Sequence, residues 1–188
     1  MSEELFDVVN DRDEVIGRRP RREVHRLGLK HRAVHVLVFN RRGEVFLQKR
    51  SLNKDSFPGA WDSSASGHLL PGESYDAAAL RELAEELGLR PNRPPERLFK
   101  LPAGPATDQE FVWVYRVEAE GPFTLHPEEI SAGGWFTPEQ VTRWLAERPG
   151  DFAGSVPLIW GRYRAECAGR NAAGENRAAD RPEPPGKL

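Results

Sequence analysis

Cysteine is almost missing from this chain: Cys167 stands alone, which excludes an internal disulfide and a cysteine-rich zinc site. Also missing is any apolar run approaching the length of a bilayer span, and the opening MSEELFDVVN lacks the basic-then-apolar pattern of a secretion signal. Neither sign of charge dominates. The 27 Lys and Arg face 29 Asp and Glu for a formal net charge of −2, so nothing pulls the whole chain toward nucleic acid or anionic lipid. No internal repeat is evident. These absences lead to the expectation of a cytoplasmic protein with no membrane attachment and no stable nucleic acid partner. The rest is ordinary globular material: 188 residues, 38% hydrophobic and 30% charged, enough for one domain with its own core.

Apolar patterning places short strands at 5–9 and 15–17 across the turn-forming Asn10-Asp11-Arg12-Asp13, then a brief helix at 21–27. A hairpin of 31–39 with 44–48 is expected around Asn40-Arg41-Arg42-Gly43, and its first strand is apolar enough to be central. Further strands are expected at 110–117 and 133–136, and helices at 138–147 and 156–166. From about Ala168 the chain turns to Ala, Gly, Arg, Asn and Pro without periodicity. A single α/β domain over 1–167 and a disordered tail over 168–188 are therefore expected. Arg18, Arg19, Arg21, Arg22 and Arg26 read as solvated surface with the option of assisting an anionic substrate. Trp61, Trp113, Tyr115, Trp135 and Phe136 are open both to stacking a base and to core packing.

Residues 67–89, GHLLPGESYDAAALRELAEELGL, carry the densest chemistry. Ser74 suits an N-cap, Asp76 the first turn and Gly88 the stop of a helix over 74–87. Leu80, Leu83, Ala84 and Leu87 repeat at i, i+3, i+4, i+7 and are expected to line its core face. Glu82, Glu85 and Glu86 repeat at i, i+3, i+4, which predicts three carboxylates crowded together where the helix meets solvent. A hard cation relieves such repulsion, since its ligands are carboxylates, carbonyls, water and phosphate oxygens.

Written out, the pattern is Gly67, five residues, Glu73, seven residues, then Arg81-Glu82-Leu83-any-Glu85-Glu86-any-Gly88-Leu89, which resembles the Nudix box at every defined position. The resemblance implies a Nudix fold, a mixed β-sheet sandwiched between α-helices. It implies an enzyme that binds Mg²⁺ or Mn²⁺ and hydrolyses a diphosphate linked to another group X. Position by position, it implies metal ligation by the Gly67 carbonyl and by Glu82, Glu85 and Glu86. Glu73 would steady the loop–helix–loop, and Arg81 would orient the carboxylates through Glu85. Glu82 is the first choice for the base that activates water, with Glu86 in the same catalytic cluster. Members of the family differ on the base, and Glu110 is the runner-up from outside the box. The implied partner is a small-molecule diphosphate. Nucleoside di- or triphosphates rank ahead of nucleotide sugars and dinucleotides, then isoprenoid diphosphates, and a homodimer is compatible with this reading.

A second constellation runs from Gln48-Lys49-Arg50-Ser51-Leu52-Asn53-Lys54 through Phe57-Pro58-Gly59-Ala60-Trp61-Asp62 to Ser66-Gly67-His68. It resembles the segment before the box in type I isopentenyl diphosphate isomerases and the bacterial Nudix hydrolases similar to them. That resemblance implies substrate phosphate contacts by Arg50 and Lys54. His25, His31, His68, Asp108 and Glu110 fall near the isomerases' separate metal site, although the interval from His25 to His31 differs by one residue. An isomerase is the alternative function, and two departures oppose it. Ser66 stands where the isomerases carry a catalytic cysteine, and the box glutamates that they lose are intact. A non-catalytic sensing module would lose a metal carboxylate, and none is missing.

Overall fold

The computed structural model describes residues 3–179, with side-chain surroundings to residue 169. A ribbon of β1 (Leu5–Val9) and β2 (Val15–Pro20) leads through α1 (Arg21–Leu27) into β3 (His31–Phe39) and β4 (Val45–Arg50). Then come β5 (Trp61–Asp62), β6 (Ala65–His68), α2 (Tyr75–Leu87), β7 (Glu96–Leu101), β8 (Glu110–Glu118), β9 (Ile130–Phe136), α3 (Pro138–Glu147) and α4 (Val156–Ala179). The main sheet runs β5-β4-β3-β8-β7, with β6 on β3 and β9 on β4. It is mixed: β3 and β8 are parallel, whereas β3 pairs antiparallel with β4 and β6.

The apolar run of β3 makes it central because both of its faces are covered, as expected. Alternate residues point to opposite sides of the sheet. Val34, Val36 and Val38 meet Phe46, Ala79, Leu83 and Leu87 on one side, while Ala33, Leu37 and Phe39 meet Val141, Ile159 and Trp160 on the other. The sheet thus lies between α2 and the α3–α4 pair, the anticipated layering. β1 packs with α1 in a separate small cluster of Phe6, Val8 and Val24.

In α2 the caps fall where local rules put them: the Ser74 hydroxyl accepts from Ala77 N, and Gly88 follows in the left-handed region at φ 64°. The orientation differs from expectation. The core row is Ala79, Leu83 and Leu87, and Leu80 is 38% exposed. The adjacent row, Ala78, Glu82 and Glu86, is also buried, so two of the three carboxylates expected at solvent lie inside. α4 runs past the expected end at residue 166 to Ala179. The residues after Ala168 include several alanines and arginines, whose helix propensity needs no buried face. The rest of the expected tail, residues 180–188, lies outside the described residues. Among the described residues no helix is long and apolar enough to cross a membrane.

Candidate active site

The buried acidic row of α2 faces β6, and the absence of a side chain at Gly67 permits the approach. A Cβ on Gly67 would fall 2.0 Å from Glu82 Oε1, a distance no real contact allows. Glu86 lies deeper, with Oε2 accepting from Gln48 Nε2 at 2.8 Å and from the Ser66 backbone N–H at 2.9 Å. Burial, reinforced by the neighbouring Glu82 charge, pushes its pKa up to about 8. Burial likewise pushes Glu82 up to about 7, against the opposing pull of Arg81. Glu85 keeps a side chain 57% exposed.

Arg81 ties the constellation together. Its Nε and Nη2 grip both oxygens of Glu73 at 2.9 Å, and Nη2 also donates to the His68 carbonyl at 2.9 Å. Nη1 bridges Glu82 Oε1 at 2.7 Å and Glu85 Oε2 at 3.0 Å. Glu73 accepts from Leu70 N at 2.9 Å and so holds the loop before α2. The planar guanidinium therefore spends its donors on positioning the acids. One cation among four carboxylates leaves an excess of negative charge on oxygen donors, a set suited to Mg²⁺ or Mn²⁺.

A second cluster forms beside the first. Ligand atoms of His25, His31 and His68 lie within 4.8 Å of one another. The sequence scatters them over α1, β3 and β6, and the sheet gathers them. In the registers, His31 lies opposite Glu110 and Ala33 opposite His68. Phe6 from β1 stacks on His68 and His31, with ring centroids 4.4 and 5.6 Å apart. His31 Nδ1 lies 2.9 Å from the Leu29 carbonyl, which only accepts, so this nitrogen carries the proton. His25 Nδ1 similarly faces Asp108 Oδ2 at 3.2 Å. Both Nε2 atoms are then lone-pair donors, and both are buried without a hydrogen-bond partner. His68 Nε2 donates to Glu110 Oε1 at 2.9 Å, and His31 Nε2 is 3.5 Å from the same oxygen. Burial lowers the pKa of His25 and His68, keeping them neutral. Burial alone would raise the pKa of Glu110, but the N–H that His68 donates to it holds its carboxyl well below the usual carboxylate range. Two orphaned imidazole nitrogens aimed at one place next to a carboxylate fit a divalent cation.

Both clusters line one cavity of about 930 Å³, which also takes in Arg50 and Lys54. Neither of these cations is free. Arg50 donates to Asp62 Oδ2 and the Ser56 carbonyl, both at 3.0 Å, and Lys54 pairs with Glu129. Ser66 lines the cavity too, and its hydroxyl lies 3.3 Å from Asp62. Of the basic stretch, Arg21 reaches the cavity, while Arg18 is held by Asp7 outside it.

Several lining residues were given no role from the sequence. His35 bonds Ser63 Oγ at 2.7 Å, and His126 donates its backbone N–H to the Glu86 carbonyl while its buried Nδ1 has no partner. Glu129 and Phe57 complete the wall. None of the aromatics considered for base stacking lines the cavity. Trp61 packs on Phe136 and Trp144, Trp135 on Phe46 and Phe123, and Trp113 on Tyr115. They are wide apolar rings that the two cores needed.

Comparison with known proteins agrees with this geometry. The NUDIX domain family model matches residues 29–154. Nudix hydrolase 3 of Arabidopsis thaliana is 37% identical over 186 residues, covering 89% of this chain, which spans only 24% of that plant protein. A Nudix hydrolase of Deinococcus radiodurans is 31% identical over 167 residues, covering 88% of this chain and 98% of that one. The crystal structure of DR0079 from Deinococcus radiodurans superposes with a TM-score of 0.76 at 30% identity, covering 85% of this chain and 98% of that one. With the box residues assembled on α2 and β6, and matches extending over most of its length, the chain belongs to the Nudix hydrolase family.

Proposed function

We propose that the protein is a divalent-metal-dependent hydrolase that cleaves the diphosphate linkage of a nucleoside di- or triphosphate, or a related nucleotide derivative, by attack of water on phosphorus. The observation that carries this is the burial of Glu82 against Gly67 and of Glu86 against Ser66 and Gln48, with Arg81 bracing the group. Burying two carboxylates beside each other is costly, and a cation offsets that cost. The Gly67 carbonyl, Glu82, Glu85 and Glu86 would hold Mg²⁺ or Mn²⁺, which would neutralise phosphate oxygens and acidify a bound water.

The chain's own residues then divide the work. Glu82, packed against Gly67 and fixed by Arg81, takes the water's proton. Glu110 is the weaker choice, since its oxygen already serves His68. Arg50 and Lys54 exchange Asp62 and Glu129 for the substrate's phosphate oxygens. His25, His31 and His68, oriented by Asp108 and joined by Glu110, would hold a second divalent ion. On this reading, one domain over residues 1–167 acts in the cytoplasm on a small molecule.

The test is product release from a panel of nucleoside and isoprenoid diphosphates with Mg²⁺ or Mn²⁺, against EDTA and against Glu86→Gln. Metal-dependent hydrolysis that collapses in the variant is expected. Conversion of isopentenyl diphosphate to its isomer, with nothing hydrolysed, would sink the proposal.

A further inference from the structure

Charged and polar side chains supply most of the residues that line the cavity. Among the described residues that line it, Phe57 is the one large apolar side chain, the other apolar contributors being alanines and Pro105. Phe57 is 50% exposed, so a phenyl ring stands open to the cavity and to solvent. Its backbone sits at φ 48°, a left-handed conformation that a bulky residue adopts only when its surroundings impose it. Gly154 shows what the ring rests on. A Cβ at Gly154 would come 2.8 Å from Phe57 Cζ and 3.3 Å from Cε2, so the ring lies against bare backbone just before α4. The ring is thus seated on one side and open for contact on the rest.

Its neighbours suit a ligand with two unlike ends. Lys54 and Arg50, which flank the same loop, bring cations to the cavity wall. The next residue after Gly154 is Ser155, whose Oγ lies 3.3 Å from His35 Nε2, a long contact that can be exchanged for a ligand's donor or acceptor.

We infer that Phe57 is the platform on which the planar heterocycle of group X stacks, making it the residue that selects nucleoside diphosphate derivatives over diphosphates without a ring. This rests on the diphosphate end being held at α2, Arg50 and Lys54 as proposed above. Stacking on an aromatic face is tolerant of which base is present, so Phe57 selects for a ring rather than for one base.

The test reads binding rather than turnover. Calorimetry in Mg²⁺ compares adenosine 5′-(α,β-methylene)diphosphate with methylenediphosphonate alone, on the parent, Phe57→Ala, Phe57→Leu and Phe57→Tyr. Phe57→Ala is expected to weaken the nucleoside analogue about tenfold or more and to leave methylenediphosphonate unchanged. Phe57→Tyr should restore the parent's affinity, and Phe57→Leu should recover only part of it. Equal weakening of both ligands would mean that the ring merely supports the loop, and full recovery by Phe57→Leu would mean general apolar contact; either overturns the inference, as does no change in Phe57→Ala. If the parent hydrolyses nothing yet this pattern holds, the hydrolase proposal fails and the role of Phe57 stands.

Discussion

Replacing Glu86 with Gln should make the metal-free protein more stable while abolishing its activity. Glu86 Oε2 accepts from both Gln48 and Ser66, and one amide oxygen can accept both bonds. The amide also removes a charge that burial disfavours. Its folded pKa of about 8 lies above the ordinary 4.5, so the folded state holds its proton more tightly than the unfolded state does. The associated stability is full below pH 4.5 and is lost as pH rises through about 8. At pH 7.5 the strain of ionising Glu86 amounts to about 4 kcal/mol as an upper bound, and relaxation leaves about 2 kcal/mol. For a chain of this size that corresponds to a rise of about 5 °C in melting temperature in the variant. The assay is thermal unfolding in EDTA from pH 5 to 8.5, repeated with saturating Mn²⁺. The parent should melt lower as pH rises and recover with metal, by about 3 kcal/mol at a hundredfold excess over Kd. The variant should show a flatter pH profile and a smaller response to metal than the parent, what remains coming from Mn²⁺ at the histidine cluster. A variant less stable than the parent in EDTA at pH 7.5 would refute the argument that this carboxylate is held at a cost for function.

Three further changes probe other parts of the site. Gly67→Ala places a methyl group where Glu82 Oε1 lies and should weaken Mg²⁺ binding by about tenfold or more, read by metal titration of turnover. Arg81→Lys cannot grip both oxygens of Glu73 and also bridge Glu82 and Glu85; urea melts should show a loss of about 2 kcal/mol, and an unchanged midpoint would contradict the bracing role. His25→Asn combined with His31→Asn should reduce bound Mn²⁺ from two equivalents to one, counted by the free-ion resonance signal, and retention of both would remove the second site.

How far the sequence could be read depended on how local each rule is. The ends of α2 follow from Ser74 and Gly88 because caps involve only neighbours. Its rotation does not. The choice between Leu80 and Ala79 for the core is made by β6, whose sequence Ala-Ser-Gly-His shows neither alternation nor apolar weight. β7 was hidden differently, since an irregularity between Arg97 and Phe99 breaks the period of two. The box residues were legible because the chemistry fixes their types and intervals. Even there, spacing alone could not tell that Glu82 and Glu86 are buried. The histidine cluster was visible only through family resemblance, as its assembly rests on the parallel register of β3 with β8. Phe57, His126 and Glu129 lie on loops whose positions depend on the finished fold, and no periodicity marks them.

The most direct test of the central claim is the fate of solvent oxygen. Hydrolysis of the nucleoside diphosphate panel should be run in ¹⁸O-water with Mn²⁺, and the products weighed by mass spectrometry. Water attack on phosphorus governed by the α2 carboxylates predicts one ¹⁸O per turnover in a phosphate-bearing product, and none with EDTA or in Glu86→Gln. Unlabelled phosphate products, or labelling that persists in Glu86→Gln, would contradict it.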